Sequence, residues 1–192
     1  LLAIGINSYE KNNDKDYFYN TFSLYDHKLD LIKDYKKVKL VPFGEFLPFE
    51  KILRKIGLKS LTNNYQSFSS GKNRKILSID TDSFNLEILP LICYEIIYSG
   101  NIFKNSKFDY IINVSEDGWF GDSIGPHQHF THSVFRAIES GKYLLRSANN
   151  GISAIINPTG NIENKIEFGQ SGFIDFKDKK FFKKTIFSKY GN

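Results

Sequence analysis

The chain has 192 residues and a formal net charge of +5, with 41% hydrophobic, 16% aromatic and 24% charged residues, one Cys, one Trp and no Met. That balance belongs to a globular domain large enough to bury a core, and it excludes a disordered chain, a collagen and a disulfide scaffold. Only four of the 26 basic residues are Arg and the Lys are scattered, which favours a solvated basic surface over a nucleic-acid reader and leaves attraction to an anionic membrane surface open.

In chain order, β-type runs are expected at 1–7 and 17–26, with Glu10 in the polar loop between them. A helical candidate at 49–56 precedes a Ser-, Asn- and Gly-rich stretch, 59–74, that reads as a long surface loop of the kind that lids a site. Strands at 75–80 and 86–93 lead to a second helical candidate, 96–105, and a strand at 110–115 leads to a third, 128–140. The last of these puts Phe130, Val134, Ala137 and Ile138 on one face. Strands at 143–148, 152–157 and 172–176 follow, and a Lys-rich tail, 177–189, reads as a solvated edge. Several runs are continuously apolar, as strands covered on both faces are, and their alternation with helices predicts a layered α/β domain.

The longest apolar runs, such as 88–93, fall far short of the ~20 residues that cross a bilayer. Leu1 is not an initiator, and residues 1–7 lack the basic region and apolar stretch of a signal peptide. The expectation is a piece of a longer protein whose targeting address lies upstream.

Cys93 ends the run Ile88-Leu-Pro-Leu-Ile-Cys and is followed by Tyr94-Glu95 and an expected helix. A side chain at the carboxyl end of a strand, before a helix amino terminus, faces a crevice and the positive end of a dipole, a setting that suits a nucleophilic thiol. The alternative is a buried structural Cys. Lys37 and Glu45 flank Leu40-Val41-Pro42-Phe43-Gly44, whose Pro and Gly force irregular backbone and so present the Glu on a loop. By composition alone both charges read first as surface groups, but a Lys aimed at a carbonyl oxygen would stabilise a tetrahedral oxyanion. Asn113-Val114-Ser115-Glu116-Asp117-Gly118-Trp119-Phe120-Gly121 leaves a strand into a Gly-bounded loop, and Gly125-Pro126-His127-Gln128-His129 opens the third helix. The i, i+2 spacing of His127 and His129, with His132 nearby, does not share a helix face as a metal-binding i, i+4 pair would. No metal is expected.

Together these segments resemble the nitrilase, or carbon-nitrogen hydrolase, superfamily. The blocks that carry the resemblance are Lys37 eight positions before Glu45, Ile92-Cys93-Tyr94-Glu95-Ile96, Asp117-Gly118-Trp119-Phe120-Gly121, Gly125-Pro126-His127-Gln128-His129, and Arg136-Ala137-Ile138-Glu139-Ser140-Gly141 continuing into Leu144-Leu145-Arg146-Ser147-Ala148-Asn149-Asn150-Gly151. In this order they are most similar to one family within it, the apolipoprotein N-acyltransferases.

The resemblance implies a four-layer α-β-β-α sandwich, incomplete at its amino terminus, over residues 1–176, with 177–192 leading towards a transmembrane helix. It implies Cys93 as nucleophile, Lys37 as the oxyanion-stabilising Lys and Glu45 as a supporting Glu, with Tyr94 and Glu95 shaping the pocket. Trp119 and Phe120 occupy a matching loop, where an acyl-chain contact and a purely structural aromatic pair are both open. Glu116 stands where relatives usually carry Asn, and the general-base Glu falls before Leu1, so the isolated chain is expected to be inactive. The implied partners are a phospholipid acyl donor, an apolipoprotein acceptor and a membrane, with no nucleic acid and no cofactor. The implied location is the bacterial inner membrane, with the catalytic domain facing the periplasm. Two other readings stay open: a soluble amidase of the same superfamily acting on a small C–N substrate, and a degenerate member acting as a binding domain.

Overall fold

A computed structural model describes residues 1–49, 67–80, 84–100, 107–177 and 185–191. The chain divides into two compact units, Leu1–Arg74 and Lys75–Asn192.

The first unit is built on a three-stranded antiparallel sheet in the order β1 (Leu2–Asn12), β2 (Lys15–Tyr25), β3 (Leu31–Lys36). Glu10 is not in a loop: it pairs with Tyr17 inside β1, and the hairpin turns only at Asn13 and Asp14. Both residues have positive φ, as a two-residue turn that follows the strand twist requires. The polar residues 10–12 and 15–16 are strand on either side of that turn, at an end of the hairpin that is largely exposed. The unit's core gathers Phe22 and Leu24 of β2 with Tyr35 of β3. β3 is a strand absent from the sequence expectation. Its Asp26 turn is closed by the Asp26 carboxylate, which accepts from Lys28 N at 2.8 Å and Asp30 N at 2.9 Å. The helical candidate 49–56 and the first half of the 59–74 stretch lie outside the described residues. Residues 67–74 carry no helix or strand.

The second unit holds a six-stranded mixed sheet ordered β4 (Leu77–Asp80), β5 (Asn85–Ile92), β6 (Tyr110–Glu116), β7 (Tyr143–Asn149), β8 (Ser153–Ile156), β9 (Ile162–Ile166). The β5, β6 and β7 strands are parallel neighbours; β4, β8 and β9 join antiparallel. Helix α1 (Gly125–Ser140) connects β6 to β7, and a short helix α2 (Ile186–Tyr190) follows near the end. The α/β character expected from the alternation of strands and helices is therefore present.

Both faces of the sheet are covered, as its continuous apolar runs required. On one face Leu89, Leu91, Ile111, Leu144 and Ile156 pack with Phe130 and Ala137 of α1. On the other, Tyr110, Tyr143 and Ile155 pack with Ile174 and Phe176. This corrects the strand expected at 172–176. Its alternating apolar residues are a cover: the Phe176 ring lies 5.6 Å from Tyr110 and 5.2 Å from Tyr143, with no ladder formed.

Two helical expectations also change. Of the 96–105 candidate, residues 101–105 lie outside the described residues; in the described part Cys93–Ile97 is a five-residue 3-10 turn and Tyr98–Gly100 is irregular. In α1 the buried residues are Pro126, His129, Phe130, Ser133, Arg136, Ala137 and Ser140, whereas Ile138 is 41% exposed. The inward face is rotated from the apolar stripe and is half polar, for a reason that lies in the site. Helix α1 ends at Gly141, whose φ of 63° is the left-handed cap where glycine carries no Cβ penalty.

Candidate active site

In the first unit, Lys37 follows the last residue of β3, and its N–H still donates to Asn20 O at 2.8 Å. The side chain is 1% exposed, so the ammonium must have a partner. Glu45 supplies it: Lys37 Nζ donates to Glu45 Oε1 at 2.7 Å. The Pro42-Phe43-Gly44 turn brings Glu45 back, as its composition predicts, with Phe43 at φ 64° and Glu45 N donating to Val41 O at 2.8 Å. The Glu45 carboxylate also accepts from Asn20 Nδ2 on Oε1 and from Val41 N at 2.7 Å on Oε2. Phe68 N bonds Glu45 O at 2.8 Å and Gly71 N bonds Lys37 O at 2.8 Å, so described residues after position 66 clamp both ends of the motif. Lys37 and Glu45 are thus one hydrogen-bonded pair, not two independent surface charges.

In the second unit, the parallel order of β5, β6 and β7 aligns their carboxyl ends along one edge, bringing Cys93, Glu116 and Asn149 to neighbouring strand ends. Such an edge is where open α/β sheets place ligands. Cys93 turns the chain sharply there with φ 47°, a left-handed conformation that a side chain makes costly. The residue is partly buried, and its Sγ lies 4.0 Å from Glu116 O. The 3-10 turn after it is too short to supply the helix dipole that the sequence invited. Orientation, rather than a macrodipole, is what the turn provides.

Glu95 is wholly buried, and its Oε2 accepts from Ile92 N at 3.0 Å, tying the turn together from beneath. Tyr94 packs edge-on against Tyr98, with ring centroids 5.5 Å apart. Burial first, then the hydrogen bond with Tyr94, pushes the Tyr98 phenol up.

The inward face of α1 is polar because it covers a polar cluster. Asp117, buried at the end of β6, accepts from Ser115 Oγ at 2.7 Å and Arg146 Nη2 at 2.7 Å and sits 2.9 Å from His129 Nδ1. Arg146 also donates from Nε to Ile152 O at 3.1 Å, from Nη1 to Asn113 Oδ1, and from Nη1 to Ser133 Oγ at 3.4 Å. Asn113 Nδ2 donates to Leu91 O at 3.0 Å, and His129 Nε2 lies 3.3 Å from Cys93 O. Burial alone would raise the Asp117 carboxyl, but the His129 hydrogen bond, the Arg146 charge and the Ser115 hydroxyl outweigh it and hold it below the usual carboxylate range. Gly151 passes over this carboxylate so closely that a Cβ there would lie 2.3 Å from Asp117 Oδ2. Sequence reasoning named none of Asn113, Asp117, His129 and Arg146 as site residues; the half-polar face of the third helix was the one available signal.

Glu116 accepts from Gly118 N at 2.8 Å, Asn150 Nδ2 at 3.0 Å and Asn149 Nδ2 at 2.5 Å. Burial raises its carboxyl and these donors more than reverse that, so the net is downward. The Glu therefore clips the Trp119 turn to the Asn149–Asn150 turn. Within that turn the two aromatics diverge: the Phe120 ring lies 5.3 Å from His129, whereas Trp119 is 75% exposed. His127 also separates from His129, its ring facing Phe168 at 6.4 Å.

A chain with this α/β fold and a strained Cys at the carboxyl end of a parallel strand belongs to the carbon-nitrogen hydrolase family, whose profile matches residues 1–174. Solved structures of the nitrilase superfamily share the fold. Nit3 from Saccharomyces cerevisiae superimposes with a TM-score of 0.59 over 86% of this chain and 55% of that one at 19% identity. An amidase from Nesterenkonia sp. AN1, in a structure with acrylamide added at its active-site cysteine, does so with a TM-score of 0.54 over 86% and 59% at 14% identity.

More particularly, the chain is similar to proteins named apolipoprotein N-acyltransferase. It is 39% identical to that of Bradyrhizobium diazoefficiens over 91% of its own length and 32% of the relative's. It is 38% identical to that of Rickettsia typhi over its whole length and 38% of the relative's. The chain thus spans about a third of the length of these curated relatives.

Proposed function

We propose that this chain is the larger part of the catalytic domain of an apolipoprotein N-acyltransferase, working through a Cys93 thioester. The observation that carries the reading is Cys93, a free and only partly buried cysteine, held at φ 47° at the carboxyl edge of the parallel strands. The similarity to enzymes of that name favours acyl transfer among the reactions available to such a Cys.

In the first half-reaction the Cys93 thiolate attacks the ester carbonyl carbon of a phospholipid acyl chain, and the thiol proton passes to a base. In this reading Lys37, whose Nζ donates to Glu45 Oε1, is the group that stabilises the negative charge developing on the carbonyl oxygen. Collapse of the tetrahedral intermediate expels the glycerol oxygen, which takes a proton and leaves as lysophospholipid. In the second half-reaction the free α-amine at the amino terminus of a lipid-modified apolipoprotein attacks the thioester. An amide forms, and the thiol is regenerated. Both steps are nucleophilic substitutions at an acyl carbon, so the chemistry calls for no redox cofactor.

Tyr94 lines the pocket, Glu95 holds its floor, and Trp119 and Phe120 offer an apolar rim for the acyl chain. Among the described residues no helix is long and apolar enough to cross a membrane. In this reading the anchors belong to other parts of the protein, which sits in the bacterial inner membrane with this domain on the periplasmic side.

The test uses the full-length protein in detergent with phosphatidylethanolamine and a peptide bearing an amino-terminal S-diacylglyceryl cysteine. Release of lysophosphatidylethanolamine and stoichiometric amide formation on the peptide are expected. Hydrolysis of small amides without acyl transfer would replace this reading with the amidase one.

A further inference from the structure

His129 was notable in the sequence for a spacing unsuited to metal binding, and the acyl-transfer chemistry leaves it without a task. Its surroundings give it one. A non-glycine residue in the left-handed region persists only where its neighbours over-determine it. Three side chains from separate places reach the backbone around Cys93: Asn113 holds Leu91 O, Glu95 holds Ile92 N, and His129 meets Cys93 O. The first two restrain residues before the turn. Of these three side chains, His129 is the one that meets the carbonyl of Cys93 itself, whose direction is set by the torsion following the nucleophile's Cα.

The donor in that contact is determined by chemistry. A carbonyl oxygen only accepts, so Nε2 carries the proton. Nδ1 faces Asp117 Oδ1 at 2.9 Å and Arg146 Nη2 at 3.2 Å. These two partners clamp the ring from its other edge while Phe120 packs against it. The bonds form a closed circuit that leaves β5 at Leu91 O, runs through Asn113, Arg146, Asp117 and His129, and returns to the chain at Cys93 O. We propose that His129 is a positioning residue for acyl transfer, orienting the strained Cys93 turn through its Nε2–H and held in place by Asp117 and Arg146. This rests on Cys93 being the nucleophile.

The two amide side chains separate the edges of the imidazole. In His129→Asn the amide can occupy the Nδ1 side and keep the bond to Asp117, but nothing reaches Cys93 O. In His129→Gln the longer amide can donate to Cys93 O while the Asp117 contact is lost. Single-turnover acylation of the full-length protein by phosphatidylethanolamine, followed by intact mass, should be slowed on the order of 100-fold in His129→Asn, with the dependence on lipid concentration unchanged. His129→Gln should stay within about tenfold of the unsubstituted protein although it is the less stable to heat, because it keeps a donor to Cys93 O and gives up the bond to buried Asp117.

Acylation of His129→Asn at the unsubstituted rate, or rates that simply follow melting temperature, would overturn the positioning role. Should His129→Asn fail to fold, His129→Gln decides alone: a rate within about tenfold supports the role, and any greater loss contradicts it. Cys93→Ala is the control that separates the two claims. An acyl adduct surviving in Cys93→Ala removes the nucleophile reading and the positioning role together, whereas its disappearance there combined with a fully active His129→Asn removes only the latter.

Discussion

Lys37 stands one residue past a strand and is held by a single carboxylate brought back eight residues later on a Pro-Gly turn. Cys93 stands at the end of a strand buried on both faces, above side chains contributed by β6, α1 and β7. The first is a largely local device, one loop with its clamps and the neighbouring Asn20 of β2. The second is a tertiary device, in which no polar partner lies close in sequence except Glu95. The contrast shows two ways of fixing a reactive group: neutralise a buried charge with one neighbour, or strain the backbone and brace it from several elements at once. They should fail differently.

Removing Arg146 should show the largest stability effect. Arg146→Met leaves Asp117 buried without its cation and opens the circuit beneath Cys93, and loss of one partner of a buried pair costs about 3–5 kcal/mol. Chemical denaturation reads this directly, and a cost below about 1 kcal/mol would mean that the cluster is not a brace.

Lys37→Met should instead act mainly on the reaction. Removal of one oxyanion partner lowers kcat by about 10²–10³-fold, with a smaller loss of stability because the half-buried Glu45 keeps Asn20 and Val41 as donors. Equal damage to stability by the Lys37 and Arg146 substitutions would erase the distinction drawn between the two sites.

The acid limb of the stability curve sharpens it further. The Asp117 carboxyl is lower in the folded protein than in the unfolded chain, so its contribution is complete above the unfolded value and is lost as pH falls through the folded one. Asp117→Asn should therefore be less stable at neutral pH yet lose less on acidification to about pH 3. A parallel acid limb in the two proteins would contradict the assignment.

The smallest effect concerns the strain itself. Both Cys93→Gly and Cys93→Ala are expected to be inactive, but the glycine variant should be the more stable by about 1 kcal/mol, because only glycine accepts φ 47° freely.

The same contrast explains what could be read from the sequence. The loop that carries Glu45 was visible as Pro and Gly punctuation, and Cys93 as the end of an apolar run, but the hydrogen bond from Lys37 to Glu45 was not. The buried strands β5 to β8 announced themselves by composition. β3 and β9 did not: Leu31-Ile-Lys-Asp-Tyr-Lys buries only Tyr35 and Ile162-Glu-Asn-Lys-Ile is almost wholly exposed, so no apolar pattern marks them. Residues 172–176 carried a strand's alternation but pack as a cover. The brace under Cys93 was illegible for a different reason. Asn113, Asp117, His129 and Arg146 are polar residues from three elements, and only the folded sheet brings them together. Periodicity sought an apolar face on α1 and so favoured Ile138 over His129 and Arg136, the residues that are buried.

The nucleophile is the claim on which the rest turns. Intact mass of the full-length protein after incubation with phosphatidylethanolamine should show one added acyl group, cleaved by hydroxylamine as a thioester is and absent in Cys93→Ala. An acyl adduct of the same mass persisting in Cys93→Ala would contradict the account.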